Sequence, residues 1–411
     1  MKTTDFTEQK DVKKIIDDLK KDGITQKEFS DVLDEKNNQY VEFVQEGGGV
    51  LGVALVGYTY VLEQMGLRFF SLAGTSAGSI NALLLASFGD VSQPKSDKII
   101  QVLANKNLYD FVDGDKDAKD FVQALVDKAK ILKLAWKGMQ VIDNLTQDLG
   151  LNPGDDFTNW LAGILKNNGI KTTRDLYDKF GKVPAGLKIR PGVNRGIDGL
   201  NPRFAVISAD LTTETKVEFP QMRSLYWKHP DEINPALFVR ASMSVPYFFT
   251  PLHIQNIPQG PDATKNWCDQ VKFKGEVPKE VYLVDGGIMS NFPIDIYHKV
   301  NTVPRLPTFG VRLGVDRNEA NKISSPVNLF GAMFNSLRHL HDYDFILKNP
   351  DYEMLVHHIL IGDHNWLNFG LTDEAKIDLF KRGAVAAGEF LRKFDWKEYK
   401  RRRAVIKTVE A

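Results

Sequence analysis

Residues 68–87, RFFSLAGTSAGSINALLLAS, decide the fold of this chain. The first part, 68–73, is mainly apolar and predicts a β-strand, and the apolar run 79–87 predicts a helix. Between them lies the turn GTSAG at 74–78. A G-x-S-x-G turn between a strand and a helix is the setting of a nucleophile elbow, which exposes a serine hydroxyl at the carboxyl end of a sheet. Ser76 is therefore interpreted as a nucleophile, the alternative being a tight turn that happens to contain serine.

The flanks of Ser76 suit ester chemistry. Gly74 and Gly78 have no side chains, so the backbone can bend sharply around the serine without a clash. The helix that follows directs its N-terminal end at the turn, where it favours developing negative charge.

The segment upstream repeats the strand–helix order. Residues 40–45 predict a strand, residues 46–52 a turn, and residues 53–65 an apolar helix. Strand, helix, strand and helix in succession indicate an α/β protein with a mainly parallel sheet and helices on its faces. Further strands are predicted at 203–208, 280–284, 308–313 and 357–361.

The turn after the first strand contains Gly47, Gly48 and Gly49. Acyl transfer needs donors aimed at an oxyanion, and glycine-rich backbone can present several N–H groups to one point. The competing hypothesis is dinucleotide binding, because Gly47, Gly49 and Gly52 have the spacing of that motif. No acidic residue follows at the distance that this motif requires, because an apolar strand occupies that position.

A third motif, VDGGIMSNFP, occupies residues 284–293. Asp285 ends a predicted strand, and a serine nucleophile needs a group that accepts its proton. Gly286 and Gly287 would let this carboxylate lie close to Ser76. The alternatives left open are an Asp-Gly-Gly turn with a structural aspartate, and a Ser–Asp–His triad. None of the eight histidines stands in a recognisable triad context.

Composition excludes several classes of protein. Lys+Arg and Asp+Glu number 53 each, so no global charge favours nucleic-acid binding. The single cysteine, Cys268, permits no internal disulfide and no cysteine-based metal site. The first residues are polar, without a signal peptide, and no apolar run of about 18 residues predicts a transmembrane helix. A cytoplasmic protein that meets membranes only at their surface is expected.

The chain is predicted to have an N-terminal helical arm, 1–38, before a catalytic domain, 39–395. In the arm, Val12, Ile15, Ile16 and Leu19 form one apolar stripe, and a second short helix is predicted at 26–33. The alternative for this segment is a DNA-binding helix pair, which is disfavoured because the segment is as acidic as it is basic.

Within the catalytic domain, 89–200 is predicted to be a helical lid or insert. Its part 118–150 alternates apolar residues with lysines, which suits either a cover on the sheet or contact with an anionic bilayer. Residues 255–279 predict a surface loop, and 373–393 an amphipathic helix. The basic tail, 396–411, is predicted to be a frayed end, with contact to anionic lipid as the alternative.

The three motifs in this order resemble the patatin-like phospholipase family, which combines a glycine-rich loop, G-x-S-x-G, and D-G-G or D-G-A on an α/β/α fold. Further segments that resemble the family are ADL at 209–211, VRASMSVP at 239–246, Asn291 with Pro293, and FGLTD at 369–373. One departure is Leu51, which stands where the family usually has Arg or Lys.

This resemblance implies a three-layer α/β/α fold and lipid acyl hydrolysis by a Ser–Asp dyad, without histidine, metal or other cofactor. Ser76 would be the nucleophile and Asp285 the general base. The oxyanion hole would consist of N–H groups of Gly47, Gly48, Gly49 and Ala77. The expected partner is a lipid or phospholipid at a membrane surface, and not nucleic acid. Phospholipase A or lysophospholipase activity is expected, with a lipid-binding module and a nucleotide-binding protein as the alternatives.

Overall fold

The computed structural model describes most of the chain. The described residues are 1–116, 119, 149–193, 195–299, 302–314, 320, 323–324, 329, 332–333, 336–337 and 344–409. The predicted apolar and lysine-rich segment 118–150 lies almost entirely outside them.

Strands and helices alternate through the first part of the chain. The strands are β1 Val32–Leu33, β2 Gln39–Gln45, β3 Leu67–Thr75, β4 Gly150–Asn152, β5 Lys188–Ile189, β6 Phe204–Asp210, β7 Thr215–Phe219, β8 Tyr247–Phe249, β9 Leu252–Gln255, β10 Glu280–Asp285, β11 Thr308–Leu313 and β12 Val356–Ile359. The helices are α1 Thr4–Thr7, α2 Lys10–Lys21, α3 Gly52–Gln64, α4 Ala77–Ser87, α5 Ser96–Ala104, α6 Asp155–Asn167, α7 Thr173–Phe180, α8 Arg223–Tyr226, α9 Ala236–Ser242, α10 Pro261–Val271, α11 Asp373–Lys393 and α12 Trp396–Val409.

The central sheet has the order β12-β11-β2-β3-β6-β10-β9. The neighbours from β12 to β6 are parallel, whereas β10 is antiparallel to both β6 and β9. The strands β2, β3 and β6 are buried along their whole length, as expected where helices cover both faces of a parallel sheet. The predicted α/β fold with helices flanking a mainly parallel sheet is confirmed, and β1, β5, β7, β9 and β10 account for its antiparallel part.

The helices α3 and α11 approach each other closely beside the sheet. A Cβ atom on Gly57 of α3 would lie 1.9 Å from the Phe380 carbonyl oxygen, and one on Gly383 of α11 would lie 1.8 Å from that of Ala54. Since only glycine fits at these points, the two backbones can touch. The arm then packs on α11, where the Phe6 and Phe380 rings lie 5.4 Å apart.

Two predicted elements are wrong. Residues 26–33 do not form a helix, because the Gln39 side-chain oxygen accepts hydrogen bonds from the N–H groups of Phe29 and Ser30, at 2.7 and 3.2 Å, and the chain continues into β1. The predicted loop 255–279 contains α10, with proline in its first turn and Trp267 only 1% exposed. Burial of this indole outweighs the loop-like composition around it.

The basic tail is not frayed: it forms α12 and docks on the domain. Trp396 and Tyr399 are buried, Arg403 pairs with buried Asp351 at 3.1 Å, and Lys400 pairs with buried Asp31 at 2.8 Å. Asp351 precedes β12, and the Thr302 carbonyl before β11 also accepts from Arg403, at 3.0 Å. The cationic helix therefore lies at the amino ends of the parallel strands.

No helix of the described residues is long and apolar enough to cross a bilayer.

Candidate active site

Ser76 is the single residue between β3 and α4, and its backbone is strained. Its φ of 49° and ψ of −118° are unusual for a residue with a side chain. Such a conformation costs about 1–3 kcal/mol and persists only where surrounding contacts enforce it, often at functional sites. The structure therefore forms the sharp turn that the sequence predicts.

The two glycines of the elbow are required by close packing. A Cβ atom on Gly74 would lie 2.4 Å from the carbonyl carbon and oxygen of Gly78. One on Gly78 would lie 2.2 Å from the Gln45 carbonyl oxygen at the end of β2. The start of α4 can thus press against both strands, which places Ser76 at the carboxyl edge of the sheet.

The glycine loop lies directly against the elbow. A Cβ atom on Gly47 would lie 3.1 Å from the Ser76 Cβ atom, and one on Gly52 would lie 3.0 Å from that of Ala77. Gly49 has a φ of 55°, and a Cβ atom there would lie 2.2 Å from the Trp366 carbonyl oxygen. The structure brings together the two glycine motifs that the sequence separates.

The N–H groups of this region fall into two sets. Gly47, predicted as an oxyanion donor, donates its N–H to the Asn291 carbonyl oxygen at 3.0 Å, so that this group is already engaged. The N–H groups of Gly48, Gly49 and Ala77 have no hydrogen-bond acceptor within the described part of the chain. Three donors next to Ser76 are therefore available to bind an anion.

Asp285 ends β10 at the level of Ser76. β3 pairs Thr75 with Ile207 of β6, and β6 pairs the next residue, Ser208, with Asp285. The carboxylate is 3% exposed, and its Oδ1 atom accepts the Gly287 N–H at 2.6 Å. Only β6 lies between the strand that ends before Ser76 and the strand that ends in Asp285. The Ser76 hydroxyl makes no hydrogen bond within the described residues, and catalytic hydrogen bonds often tighten only when substrate binds.

The turn after Asp285 also holds the glycine loop. Asn291 and Gly47 exchange hydrogen bonds, since the Asn291 side-chain amide donates to the Gly47 carbonyl oxygen at 3.2 Å. Thr75 donates its hydroxyl to the Ser290 carbonyl oxygen at 2.9 Å. In the sequence Asn291 is recognisable only as a family-like residue, because its partner lies in a distant segment.

A buried ion pair fixes the base of the glycine loop. Arg312 of β11 donates to Glu46 from Nη2 at 2.9 Å and from Nε at 3.1 Å, and the Leu313 N–H donates to the same carboxylate at 2.6 Å. Both side chains of the pair are nearly fully buried. The pair is not recognisable in the sequence, because its partners are far apart in the chain and adjacent only through the pairing of β2 with β11.

An apolar cavity opens beside Ser76. Its cavity volume is about 90 Å³, and its lining is almost entirely apolar. Ser76, Ala77, Ile80 and Leu84 line it along α4. The opposite walls come from α3, α5, α6, β8 and the segment around Trp366. A space with this lining can accept a hydrocarbon chain that reaches Ser76 at one end.

Leu51 is 3% exposed, so the position where a cation is usual in the family is a core position here.

Five of the six histidines in the described part of the chain have partners elsewhere. His253 contacts Glu280 at 3.0 Å, His298 contacts the Tyr352 hydroxyl at 2.9 Å, and His364 contacts Asp378 at 2.9 Å. The ring of His358 contacts the Gly314 carbonyl oxygen at 2.9 Å, and His357 lies 3.6 Å from Glu389. Each of these five imidazoles therefore contacts a residue other than Ser76 and Asp285.

Fold and site together have the character of an α/β acyl hydrolase: a serine at a strained strand–helix turn, free N–H donors beside it, and an apolar cavity for a chain. Residues 43–298 match the family described as patatin-like phospholipase. The chain belongs to the patatin-like phospholipase family and is accordingly a lipid acyl hydrolase.

Two known proteins are similar to this chain. The uncharacterized protein YqhO of Bacillus subtilis (strain 168) is 31% identical over 359 residues, which span 87% of this chain and 100% of that protein. The crystal structure of VipD from Legionella pneumophila is similar at 15% identity with a TM-score of 0.41, covering 89% of this chain and 70% of that one.

Proposed function

We propose that this chain hydrolyses carboxylic esters of phospholipids or lysophospholipids through an acyl-enzyme on Ser76. The observation that carries this proposal is the position of Ser76, at a strained elbow that opens directly onto an apolar cavity. A fatty acyl chain in that cavity would bring its ester carbonyl to the serine hydroxyl.

In the proposed reaction, the Ser76 oxygen attacks the ester carbonyl carbon and its proton passes to Asp285. The negative charge of the tetrahedral intermediate is stabilised by the N–H groups of Gly48, Gly49 and Ala77. The carbon–oxygen bond to the alcohol then breaks, and the departing alcohol takes the proton. Water attacks the acyl-enzyme in the same way, with Asp285 as its base, and releases the fatty acid and the free serine.

We also propose that the catalytic domain spans 39–395, with the arm 1–38 and the tail 396–411 packed onto it. Contact with lipid is proposed for the carboxyl edge of the sheet, where Ser76 lies. The tail is not included in this contact, because its cations lie at the amino ends of the strands.

The proposal is tested with Ser76→Ala and Asp285→Asn, assayed on a p-nitrophenyl ester and on phospholipid vesicles. Ser87→Ala, which changes a fully buried serine on α4, and Asp198→Asn, which changes an exposed aspartate, are the controls. Both site variants are expected to lose activity by at least about a thousandfold while the controls stay near wild type. Full activity of Asp285→Asn would assign the base to another residue.

A further inference from the structure

The carboxyl end of α9 touches the backbones on both sides of the site. The Ser242 hydroxyl oxygen accepts the Ser76 N–H at 2.9 Å, and the Ser244 carbonyl oxygen accepts the Asp285 N–H at 2.8 Å. Both serines of this segment are 0% exposed. Residues 242–244 therefore bridge the elbow after β3 and the end of β10, two points that share no direct strand pairing.

This bridge is itself rigidly anchored. The buried Arg240 side chain donates to the Ser244 hydroxyl, to the Pro153 carbonyl oxygen, and to the Thr250 carbonyl oxygen at 2.7 Å. The Ser244 hydroxyl donates back to the Arg240 carbonyl oxygen at 2.6 Å. The guanidinium group thus fixes the bridge against the segments that flank β4 and β8, so that residues 242–244 have little freedom to follow the elbow if it moves.

The bond to Ser242 affects the conformation on which the site depends. The positive φ of Ser76 is unfavourable and needs an external contact to hold it. A buried N–H that lost its acceptor would be costly, so the backbone around Ser76 would shift to find another. Since the Ser76 hydroxyl lies on the same residue, such a shift would move the nucleophile.

We propose that Ser242 is a positioning residue, which holds the Ser76 backbone, and with it the hydroxyl, at the correct distance from the ester and from Asp285. Ser242 does not touch the reacting atoms. Because its oxygen takes the Ser76 N–H, that N–H is not an oxyanion donor, and Gly48, Gly49 and Ala77 are left for this role. This inference rests on the proposed function of Ser76.

The experiment compares Ser242→Ala, Ser242→Cys and Ser87→Ala in the full chain. Alanine removes the acceptor, whereas cysteine keeps a weak acceptor on a somewhat larger side chain. Ser87 is also 0% exposed and also loses one side-chain hydrogen bond, to the Leu83 carbonyl oxygen, so it controls for the loss of a buried hydroxyl. The measurements are kcat and KM for a p-nitrophenyl ester, together with the thermal midpoint of unfolding.

We expect kcat to fall about tenfold to hundredfold in Ser242→Ala, as a displacement of about 1 Å can cause, with KM nearly unchanged. Ser242→Cys should lie between this variant and wild type, and Ser87→Ala should lower the unfolding midpoint while keeping kcat. A kcat in both Ser242 variants that equals that of Ser87→Ala would overturn the proposal, as would an increase in kcat through a freed Ser76 N–H. If Ser242→Ala does not fold, Ser242→Cys alone decides by the same criterion.

The result is separable from the proposed function. Ser76→Ala, measured alongside, reports whether Ser76 is the nucleophile at all. An inactive Ser76→Ala with a fully active Ser242→Ala removes only the positioning role. An active Ser76→Ala removes both proposals together.

Discussion

Replacing Arg312 by methionine should show how much the buried ion pair stabilises the base of the glycine loop. The Arg312 guanidinium and the Glu46 carboxylate are joined at 2.9 and 3.1 Å, with side-chain exposures of only 4% and 2%. Removing the cation leaves a buried carboxylate whose remaining donor here is the Leu313 N–H at 2.6 Å. Breaking one side of a buried ion pair costs about 3–5 kcal/mol, and this surviving bond favours the lower end, about 3 kcal/mol.

The assay is urea unfolding of wild type, Arg312→Met, Glu46→Gln and the double variant. Glutamine can still accept the Leu313 N–H without a charge, so the double variant should lose at least about 2 kcal/mol less than the sum of the singles. The slope of the transition should not change, because the surface exposed on unfolding is the same. Since Gly47 follows Glu46 directly, kcat should also fall in Arg312→Met.

Two outcomes would refute this reasoning. A loss below about 1 kcal/mol in Arg312→Met would mean that the carboxylate does not depend on the cation. Additive losses in the two single variants would mean that the pair has no coupling energy.

Three further predictions concern the core and the cavity. Gly78→Ala should lower the free energy of unfolding by about 3 kcal/mol, because the new Cβ atom would lie 2.2 Å from the Gln45 carbonyl oxygen. Gly163→Ala is the control: a Cβ atom there meets nothing within 4 Å, so this variant should be neutral or stabilising. Urea unfolding of both variants measures the two effects. Burial raises the pKa of Glu42 from 4.5 to about 7, so its uncharged form stabilises the fold below about pH 4.5 and this contribution is lost as the pH rises through about 7. Glu42→Gln should therefore reduce the difference in unfolding free energy between pH 5 and pH 8 by at most about 3 kcal/mol. If the variant shows the same difference as wild type, the raised pKa of Glu42 is contradicted. Leu84 lines the cavity eight residues beyond Ser76 along α4, which corresponds to about 12 Å. Leu84→Trp should therefore lower kcat/KM for long-chain esters by about tenfold and leave short-chain esters unaffected. Equal losses on both esters would show that the acyl chain of the substrate does not lie along α4.

The strand and helix around the elbow could be predicted from the sequence, because their formation depends on residues that are near neighbours in the chain. The apolar runs that became β3 and α4, and the GTSAG turn between them, carry their own periodicity and turn residues. The 255–279 segment was misread because its Pro, Gly and Lys residues indicate a loop, whereas the burial of Trp267 decides for a helix. The 26–33 segment was misread because Gln39, which satisfies its backbone, lies outside it.

The residues of the candidate site also fall into two groups, those that lie in a local sequence motif and those that act through a contact with a distant segment. Ser76, Asp285 and the glycines could be named as candidates, because each lies in a motif with a chemical reason. Ser242 and Arg312 were missed as site residues, because their effect comes from a contact with a distant segment. Gly47 was assigned a donor role that its bond to Asn291 already occupies.

The sequence by itself determined the order of strands and helices from β2 to α4, the position of the elbow, and the two glycine-rich turns that flank it. Tertiary structure alone decided that β10 runs antiparallel beside β6, which brings Asp285 to the level of Ser76, and that the basic tail docks at the opposite edge of the sheet. The physical reason is the range of the interactions: periodicity and turn chemistry act within a few residues, whereas strand pairing and buried ion pairs join residues that only the folded chain brings together.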